Sequence, residues 1–305
     1  MIEVRNLIFE YPGHRAIDDV SFSIETDSVT ALVGPNGAGK TTLMRCLCGL
    51  ERPLSGDIFV AGIDVIKDPR RSHKTIGYLA DTFGLYDELQ VRQCLRYAAE
   101  ANGVKNQIDI SVTQTAERLN LTDRLTQRVG GLSRGLRQRV AIGQAIIHEP
   151  RVLILDEPAS GLDPEARHDL AELIKILKVS GMTSLVSSHI LAELGAYATE
   201  MLMLRDGQII EQRLLGKQTE SRRHISIELL TANPAIAEML STRPEVHSVN
   251  TDGARIICEV SGGNHTQQRL LATLVAADAA VVNFSTVEQD LQRSYLDSIR
   301  QRQTK

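Results

Sequence analysis

The spacing of apolar residues divides the chain into strands and helices before any motif is considered. Ile2 to Phe9 and Ala16 to Glu25 alternate apolar and polar positions, which predicts two half-buried strands. Val29 to Val33 is continuously apolar and β-branched and predicts a buried strand, with a helix over Thr41 to Leu50 after it. Further strands are predicted at 57–61, 75–80, 151–157, 182–187, 201–204 and 208–211, and helices at 89–101, 112–119, 140–147 and 164–179.

The distribution of these elements predicts the domains. No strand pattern occurs between 80 and 152, which indicates a helical subdomain at about 87–150 inserted into an α/β domain over 1–216. The polar segment 217–224 predicts a linker. Beyond it, residues 225–305 alternate in the order βαββαβα, with the last helix at 288–300, which is typical of a small α+β domain of ferredoxin-like type.

Composition narrows the functional classes. Hydrophobic residues make up 42% and charged residues 24% of the chain, as in ordinary globular proteins. A net charge of −4 gives no reason to expect a nucleic-acid partner. The chain has neither an apolar run of membrane-spanning length nor a signal-peptide pattern at its start, which predicts a cytoplasmic location. Cys46 and Cys48 point to different sides of one helix, which argues against a shared metal ion. The four cysteines are therefore predicted to be core or near-core residues.

A glycine-rich segment between the buried strand and its helix carries the clearest chemical signal. It reads GPNGAGKTT and fits G-x-x-x-x-G-K-[ST], a loop whose backbone N–H groups and helix N-terminus bind phosphates. The lysine would reach the β- and γ-phosphates, and the first threonine hydroxyl would bind Mg²⁺. The segment consists of Gly34, Pro35, Asn36, Gly37, Ala38, Gly39, Lys40, Thr41 and Thr42.

Six further residues are candidates for the site. Two of them are acids at the end of a strand, and the other four have a structural and a functional interpretation. Asp156 and Glu157 end an apolar strand, where open α/β sheets place their ligands. Ser133, followed by Gly135, would either cap a helix or open a second phosphate-binding helix N-terminus. Tyr11 would either stack on a purine or pack on its own hairpin, and His189 lies just beyond a strand, where it could also cap a helix.

In this order, the motifs resemble those of the ATP-binding cassette (ABC) ATPases over residues 1–216. The glycine-rich loop resembles Walker A, Leu153 to Glu157 resembles Walker B, and Leu132 to Leu136 resembles the family signature. Ser160 to Asp163 corresponds to the D-loop, and the switch histidine and the A-loop aromatic fall on His189 and Tyr11. The resemblance implies a P-loop NTPase core with an antiparallel β subdomain.

The resemblance also implies roles. Lys40, Glu157 and His189 would be catalytic, with Glu157 as general base and His189 as γ-phosphate sensor. Thr41 and Asp156 would hold Mg²⁺ with ATP. Asp81 stands where the family has a glutamine, and its shorter, anionic side chain could reach Mg²⁺ through a water. The signature reads LSRGL, and its cluster Arg134, Arg137 and Arg139 is expected to be solvated or dimer-facing rather than bound to phosphate.

The partners implied are a second copy and a membrane protein. Ser133 and Gly135 of one subunit would close over the ATP of the other in a head-to-tail dimer. A separate transmembrane permease would dock near Leu79 to Leu95, which places the subunit peripherally on the inner face of the cell membrane. A single cassette with a C-terminal extension is similar to exporters of the ABC-2 type. The alternative is a non-transport ABC ATPase that acts on ribosomes or DNA.

Overall fold

The computed structural model describes residues 1–188, 194–215 and 223–287. The chain divides into two compact units, Met1–Leu214 and Leu215–Lys305. Three sequence predictions fall on positions outside the described residues: His189, most of the linker at 217–224, and the helix at 288–300.

The first unit contains ten strands and six α-helices within its described residues. The strands are β1 (Ile2–Tyr11), β2 (His14–Ile24), β3 (Val29–Val33), β4 (Ser55–Val60), β5 (Ile63–Asp64), β6 (Ile76–Leu79), β7 (Val152–Leu155), β8 (Thr183–Ser188), β9 (Glu200–Arg205) and β10 (Gln208–Leu214). The helices are α1 (Lys40–Leu47), α2 (Pro69–His73), α3 (Val91–Ala101), α4 (Ile108–Arg118), α5 (Arg134–Ile146) and α6 (Pro164–Val179).

A six-stranded sheet forms the centre of this unit, in the order β10-β9-β3-β8-β7-β6. Its neighbours are parallel except for the antiparallel pair β10 and β9. Every residue of β3 and β7 is buried, as expected for central strands of a parallel sheet covered on both faces. The carboxyl ends of β3, β6 and β7 therefore lie at the same edge, which is where α/β sheets bind ligands. This is an α/β fold, as the sequence predicts.

A four-stranded antiparallel sheet, in the order β2-β1-β4-β5, shares a hydrophobic core with the central sheet. Val4 and Ile58 of the smaller sheet belong to the same buried cluster as Leu32 of β3 and Leu43 of α1. The smaller sheet thus supports the helix that follows the glycine-rich loop. The cysteines are free and buried, which confirms that they are core residues.

Between β6 and β7 the chain is helical. It contains α3, α4 and α5 with two 3-10 turns, Thr122–Arg124 and Val129–Gly131. Helix α5 begins at Arg134, six positions before the predicted start at 140. The prediction placed the start too late because three arginines interrupt the apolar pattern of the first turns of this helix. The sequence prediction also missed β5 and α2, although Asp68 caps α2 and Pro69 occupies its first turn.

The second unit has four strands and two helices within its described residues. They are β11 (Arg223–Leu229), α7 (Pro234–Ser241), β12 (Val246–Asp252), β13 (Arg255–Val260), α8 (Asn264–Ala276) and β14 (Val281–Val287). The sheet is antiparallel, in the order β12-β13-β11-β14. One face carries the apolar core, in which Ile225 and Ile227 pack with Leu240 of α7 and Leu270 of α8.

Candidate nucleotide site

The glycine-rich loop connects β3 directly to α1. Gly39 caps α1 with φ 102° and ψ 6°, a left-handed conformation that favours glycine. The first N–H groups of an α-helix have no acceptor within the helix, so the start of α1 can bind an anion. The loop thus has the backbone geometry that a phosphate-binding turn requires.

Two other segments contact this loop closely. A Cβ on Gly39 would lie 2.5 Å from the Ala16 carbonyl oxygen on β2. Gly207, in the turn between β9 and β10, approaches the same oxygen, since a Cβ there would lie 2.8 Å from it. The Gly207 N–H also donates to the Ala38 carbonyl at 3.2 Å. The loop conformation is therefore fixed by residues far away in sequence.

Lys40 is held inside the loop. Its side chain is 7% exposed, and Nζ donates to the Gly34 carbonyl at 2.8 Å and the Pro35 carbonyl at 3.3 Å. Nζ also lies 3.5 Å from Oε1 of Glu157, at the end of β7. The ammonium group and the proposed general base thus meet at one place, where a γ-phosphate and an attacking water would need them.

A serine that the sequence analysis did not single out organises the two acids. Oγ of Ser187, on β8, donates to Oδ1 of Asp156 at 2.7 Å and accepts the backbone N–H of Glu157 at 2.7 Å. Glu157 itself has φ 46°, which is unusual for a residue with a side chain. The pairing of β7 with β8 positions this serine, so only the sheet order could have identified it.

Asp156 has the chemistry of a metal ligand. Its side chain is 1% exposed, and burial raises the pKa of its carboxyl group; the charges of Asp81 and Glu157 add to this, and hydrogen bonds from Ser187 and Thr41 oppose it. Oδ2 has no well-formed hydrogen bond within the described residues. An unsatisfied buried carboxylate oxygen beside the Thr41 hydroxyl fits Mg²⁺.

The protein would not hold this ion alone. Among the described residues, no three His, Cys, Asp or Glu side chains are grouped closely enough to bind a metal by themselves. Mg²⁺ commonly takes few protein ligands together with phosphate oxygens and waters. The site therefore fits an ion that arrives with a nucleotide.

The position of Tyr11 is compatible with both of its predicted roles, packing on its own hairpin and stacking on a purine. Its ring packs edge-on against Phe9, with centroids 4.9 Å apart, so it does contact its own hairpin. Its hydroxyl lies 3.5 Å from Oγ1 of Thr42, and 40% of the residue remains exposed beside the loop. An aromatic face at this position is available to a base.

These residues surround one open cleft of about 470 Å³. Asp81 lines this cleft; it follows the end of β6, the strand that pairs with β7. Two lining residues, His14 and Ala16, were missed by the sequence analysis; both follow Tyr11 on the same hairpin, which is the signal that could have identified them. Ser160, assigned to the D-loop segment from the sequence, also lines the cleft. The lining residues are Tyr11, His14, Ala16, Asn36, Gly37, Ala38, Gly39, Lys40, Thr41, Thr42, Asp81, Glu157 and Ser160.

Ser133 and Gly135 do not line this cleft. Ser133 caps α5, and its Oγ accepts the Leu136 N–H at 3.4 Å, so the capping interpretation describes the structure. Both residues line a separate cleft of about 260 Å³ between α5 and α6, together with Gln138, Asp163 and Asp169. Whatever these two residues bind, it is not a phosphate held by the loop of the same chain.

Each arginine of the α5 cluster contacts its own chain. Arg134 donates to the Ser160 carbonyl at 2.9 Å. Arg137 pairs with Asp87 at 2.6 Å and Arg139 with Asp169 at 2.5 Å. The expectation of purely solvated or dimer-facing arginines did not include these partners.

A second aromatic surface lies beside β6. A groove of about 320 Å³ is lined mainly by residues of β6, α3 and α5, including Tyr78 and Tyr97, and by Phe83 in the segment that follows β6. Tyr97 meets Tyr86 edge-on at 6.0 Å, and both are more than half exposed. No helix in the described part of the chain is both long and apolar enough to cross a membrane.

Comparison with known proteins finds relatives that are all described as ATP-binding proteins of transport or export systems. A family model described as ABC transporter matches residues 17–160. The ABC transporter ATP-binding protein NatA of Bacillus subtilis is 37% identical over 211 residues, 68% of this chain and 86% of that protein. The Nod factor export ATP-binding protein I of Neorhizobium galegae is 29% identical over 88% of this chain and 78% of that protein. A solved ATP-binding subunit of an ABC transporter superposes with a TM-score of 0.63 at 32% identity, covering 70% of this chain and 90% of that one.

Proposed function

The chain belongs to the ATP-binding proteins of ABC transporters, and from this premise we propose that it hydrolyses ATP to energise a separate transmembrane permease. The observation that carries the proposal is the approach of Lys40 Nζ to Glu157 Oε1, 3.5 Å apart in a cleft lined by the phosphate-binding loop. A cation and a base at that distance match what phosphoryl transfer to water requires.

The division of roles follows from the contacts. Lys40 leaves the Gly34 and Pro35 carbonyls for the β- and γ-phosphates, where its charge stabilises the transition state. Glu157 orients and deprotonates the attacking water, and its backbone is held by Ser187. Thr41 and Asp156 would hold Mg²⁺, which would supply positive charge to the phosphates when bound. Tyr11 stacks on the adenine, and His189 contacts the γ-phosphate.

Asp81 adds a negative charge to this cleft. It lies close enough to Asp156 to contribute to that residue's raised pKa. We infer that it approaches the hydrated metal rather than the phosphates, which it would repel. Exchange for glutamine would remove one charge and keep a metal-directed oxygen.

We further infer a head-to-tail dimer. The phosphate-binding loop and the N-terminus of α5 line separate clefts in one chain, although each presents helix N–H groups that can bind phosphate. An isologous pair brings the N-terminus of α5 in one subunit to the loop of the other and forms two equivalent sites.

The aromatic groove beside β6 supports docking of the permease. Two of its lining residues, Leu79 and Phe83, belong to the predicted docking segment Leu79 to Leu95. The exposed Tyr97 in the groove and the exposed Tyr86 beside it are residues typical of protein interfaces. Residues 87–150 would then be the subdomain that receives the permease. A relative named for export favours an exporter, and that relative together with NatA favours transport over action on ribosomes or DNA.

The second unit is inferred to be a ferredoxin-like accessory domain. Its elements follow the order βαββαβ, with the first strand between the third and the fourth in an antiparallel sheet. None of its described residues is among those that line the nucleotide cleft or the Ser133 cleft. We therefore infer an accessory role for this unit, in stabilising the dimer.

The decisive experiment compares the purified full-length chain with its Glu157→Gln variant. Phosphate release with Mg²⁺ and ATP should fall by roughly 10²- to 10⁴-fold, because the general base is lost. Titration with a fluorescent ATP analogue should show retained binding. Glu172→Gln, at an exposed acid on α6, is the matched control and should hydrolyse ATP like the wild type. Near wild-type turnover in Glu157→Gln would rule out the assignment.

A further inference from the structure

The start of α5 is connected to the loop that follows Glu157 by an arginine. Arg134, the first residue of α5, donates from Nη2 to the Ser160 carbonyl at 2.9 Å. An ideal Cβ on Gly161 would lie 2.4 to 2.5 Å from the guanidinium atoms of Arg134. The guanidinium group therefore occupies the space where a side chain at 161 would stand, and Gly161, with φ +67°, leaves that space open.

This contact is one of two that α5 makes with the loop 157–163. The buried side chain of Gln138 donates to the Pro158 carbonyl, one turn further along the helix. Within the loop, the Ser160 N–H donates to the Glu157 carbonyl at 3.0 Å. Arg134 thus holds the far end of a turn whose other end is the proposed general base.

The position of Arg134 is unfavourable for the helix itself. A positive side chain in the first turn of a helix is repelled by the positive end of the helix dipole. The acceptor that offsets this repulsion is the Ser160 carbonyl, on the residue whose side chain lines the nucleotide cleft. The contact therefore links the Ser133 segment to a wall of the nucleotide cleft in the same subunit.

We propose that Arg134 is a positioning residue that makes the orientation of Glu157 depend on what Ser133 and Gly135 bind. This inference rests on the proposed dimer, in which those two residues face the partner's ATP. Docking of the partner's γ-phosphate at the start of α5 fixes Arg134, and Arg134 fixes the Ser160 carbonyl. The turn 157–160 then holds Glu157 against its own nucleotide. Each subunit hydrolyses its ATP about tenfold faster when the other ATP is in place.

The rival role for Arg134 is a direct charge contact with the partner's ATP. The two roles depend on different properties of the side chain. Positioning requires the planar group over Gly161, whereas phosphate attraction requires only a positive charge near Ser133. In the free subunit Arg134 is exposed, so its bond to Ser160 contributes little to stability. A positioning role is thus visible in turnover and not in the unfolding temperature.

The test measures kcat, the KM for ATP and thermal unfolding in full-length variants. Arg134→Ala removes the contact, and Arg134→Lys keeps the charge without the planar group. Gly161→Ala keeps Arg134 and displaces it by the new Cβ. Arg118→Ala is the control, since Arg118 is another exposed arginine of this unit with a polar partner, the carboxylate of Glu149.

Arg134→Ala should lower kcat about tenfold, the effect expected of losing one charge-assisted hydrogen bond in the closed dimer, with KM changed less than about twofold. Arg134→Lys should not restore kcat. Gly161→Ala should have a similar defect, and the double variant should be no worse than either single one, because both break one contact. Unfolding temperatures of the Arg134 variants should stay close to the wild type, whereas Gly161→Ala should unfold a few degrees lower because position 161 has a positive φ. Arg118→Ala should be unchanged throughout.

Two results would overturn the inference. Full activity in Arg134→Lys with a raised KM in Arg134→Ala would assign the residue to phosphate attraction. Wild-type kcat in both Arg134→Ala and Gly161→Ala would leave it no role in turnover. Absence of hydrolysis in the wild type would instead contradict the proposed function, so the two failures are distinguishable.

Discussion

The nucleotide cleft and the Ser133 cleft differ in how completely one chain organises them. In the nucleotide cleft, Lys40 and Asp156 are almost fully buried and bonded to the loop and to Ser187. In the Ser133 cleft, Ser133 is exposed, and its hydroxyl does no more than cap its own helix through a 3.4 Å contact. The first cleft is preorganised before a ligand arrives, while the second presents groups that need one.

This difference indicates which half of a composite site determines binding and which determines timing. Preorganised groups lose little freedom when they bind, so they contribute affinity in the single subunit. Exposed helix-start groups gain their effect when a second surface excludes water. The comparison therefore predicts that the two halves can be impaired separately and complemented in one dimer.

Mixing two inactive variants gives the largest effect. Lys40→Ala should abolish hydrolysis through the loop cleft, and Gly135→Asp should abolish it by placing a carboxylate where the partner's phosphate docks. A 1:1 mixture should regain roughly a fortieth of the wild-type rate. Half of randomly assorted dimers contain one intact composite site, which is a quarter of all sites, and the empty second site slows each of these about tenfold through Arg134. Phosphate release from separate and mixed samples measures this.

One outcome of the mixing experiment would contradict the prediction directly. A mixture no more active than its components would mean that Ser133 and Gly135 do not act in trans. An acid in the first turn is compatible with the helix dipole, so Gly135→Asp should fold, although its Cβ must move slightly from Ala166, 3.1 Å away.

Tyr11→Ala gives an intermediate effect confined to the nucleotide cleft. Loss of stacking should weaken ATP binding by about 5- to 100-fold, corresponding to roughly 1–3 kcal/mol per stacked base. Tyr11→Phe keeps the ring and should bind like the wild type. If Tyr11→Ala lowers the unfolding temperature but leaves the dissociation constant unchanged, the ring serves only its contact with Phe9. Equilibrium titration and thermal unfolding separate these results.

Asp156→Asn gives the smallest effect. Unlike the other variants it should show a gain, since the nucleotide-free protein should unfold at a higher temperature. Because the folded chain holds the Asp156 proton more tightly than the unfolded chain does, the nucleotide-free protein should lose stability from this group as pH rises through the raised pKa. The amide removes that loss while keeping an acceptor for Ser187, so the unfolding temperature at neutral pH should rise by a few degrees.

The same variant should lose its response to ligand. Without the carboxylate, Mg²⁺ and ATP together should no longer stabilise the protein more than ATP alone. Thermal unfolding at several pH values, with chelator and with Mg²⁺ and ATP, tests both statements. An unfolding temperature that falls in Asp156→Asn without ligand would contradict the burial argument.

Local patterns predicted the parts of this molecule in which sequence neighbours act together. The glycine-rich loop, the acids after β7 and the hairpin of β9 and β10 are continuous segments, and their chemistry follows from adjacent residues. The spacing of apolar residues also predicted α6 over its full length, because Asp163 and Pro164 mark its start.

What the sequence could not predict depends on the order of strands. Ser187 supports Asp156 and Glu157 only because β8 lies beside β7, and Asp81 approaches Asp156 only because β6 lies on the other side. The partners of Arg134, Arg137 and Arg139 come from three segments that only tertiary packing brings to one helix. Polar contacts of this kind have no local period to reveal them.

The contact of Gly207 with the Ala16 carbonyl has a consequence for how this chain tolerates variation. Position 207 would contact no ligand, yet any side chain there would press on the strand that Gly39 also touches. A substitution of Gly207 in this hairpin turn should therefore have the same effect as a mutation in the phosphate loop, more than 160 positions away in the sequence. Second-site suppressors of such a substitution should lie on β2 near Ala16. Substitutions in the hairpin, the strand and the loop should therefore depend on one another in their effects on function.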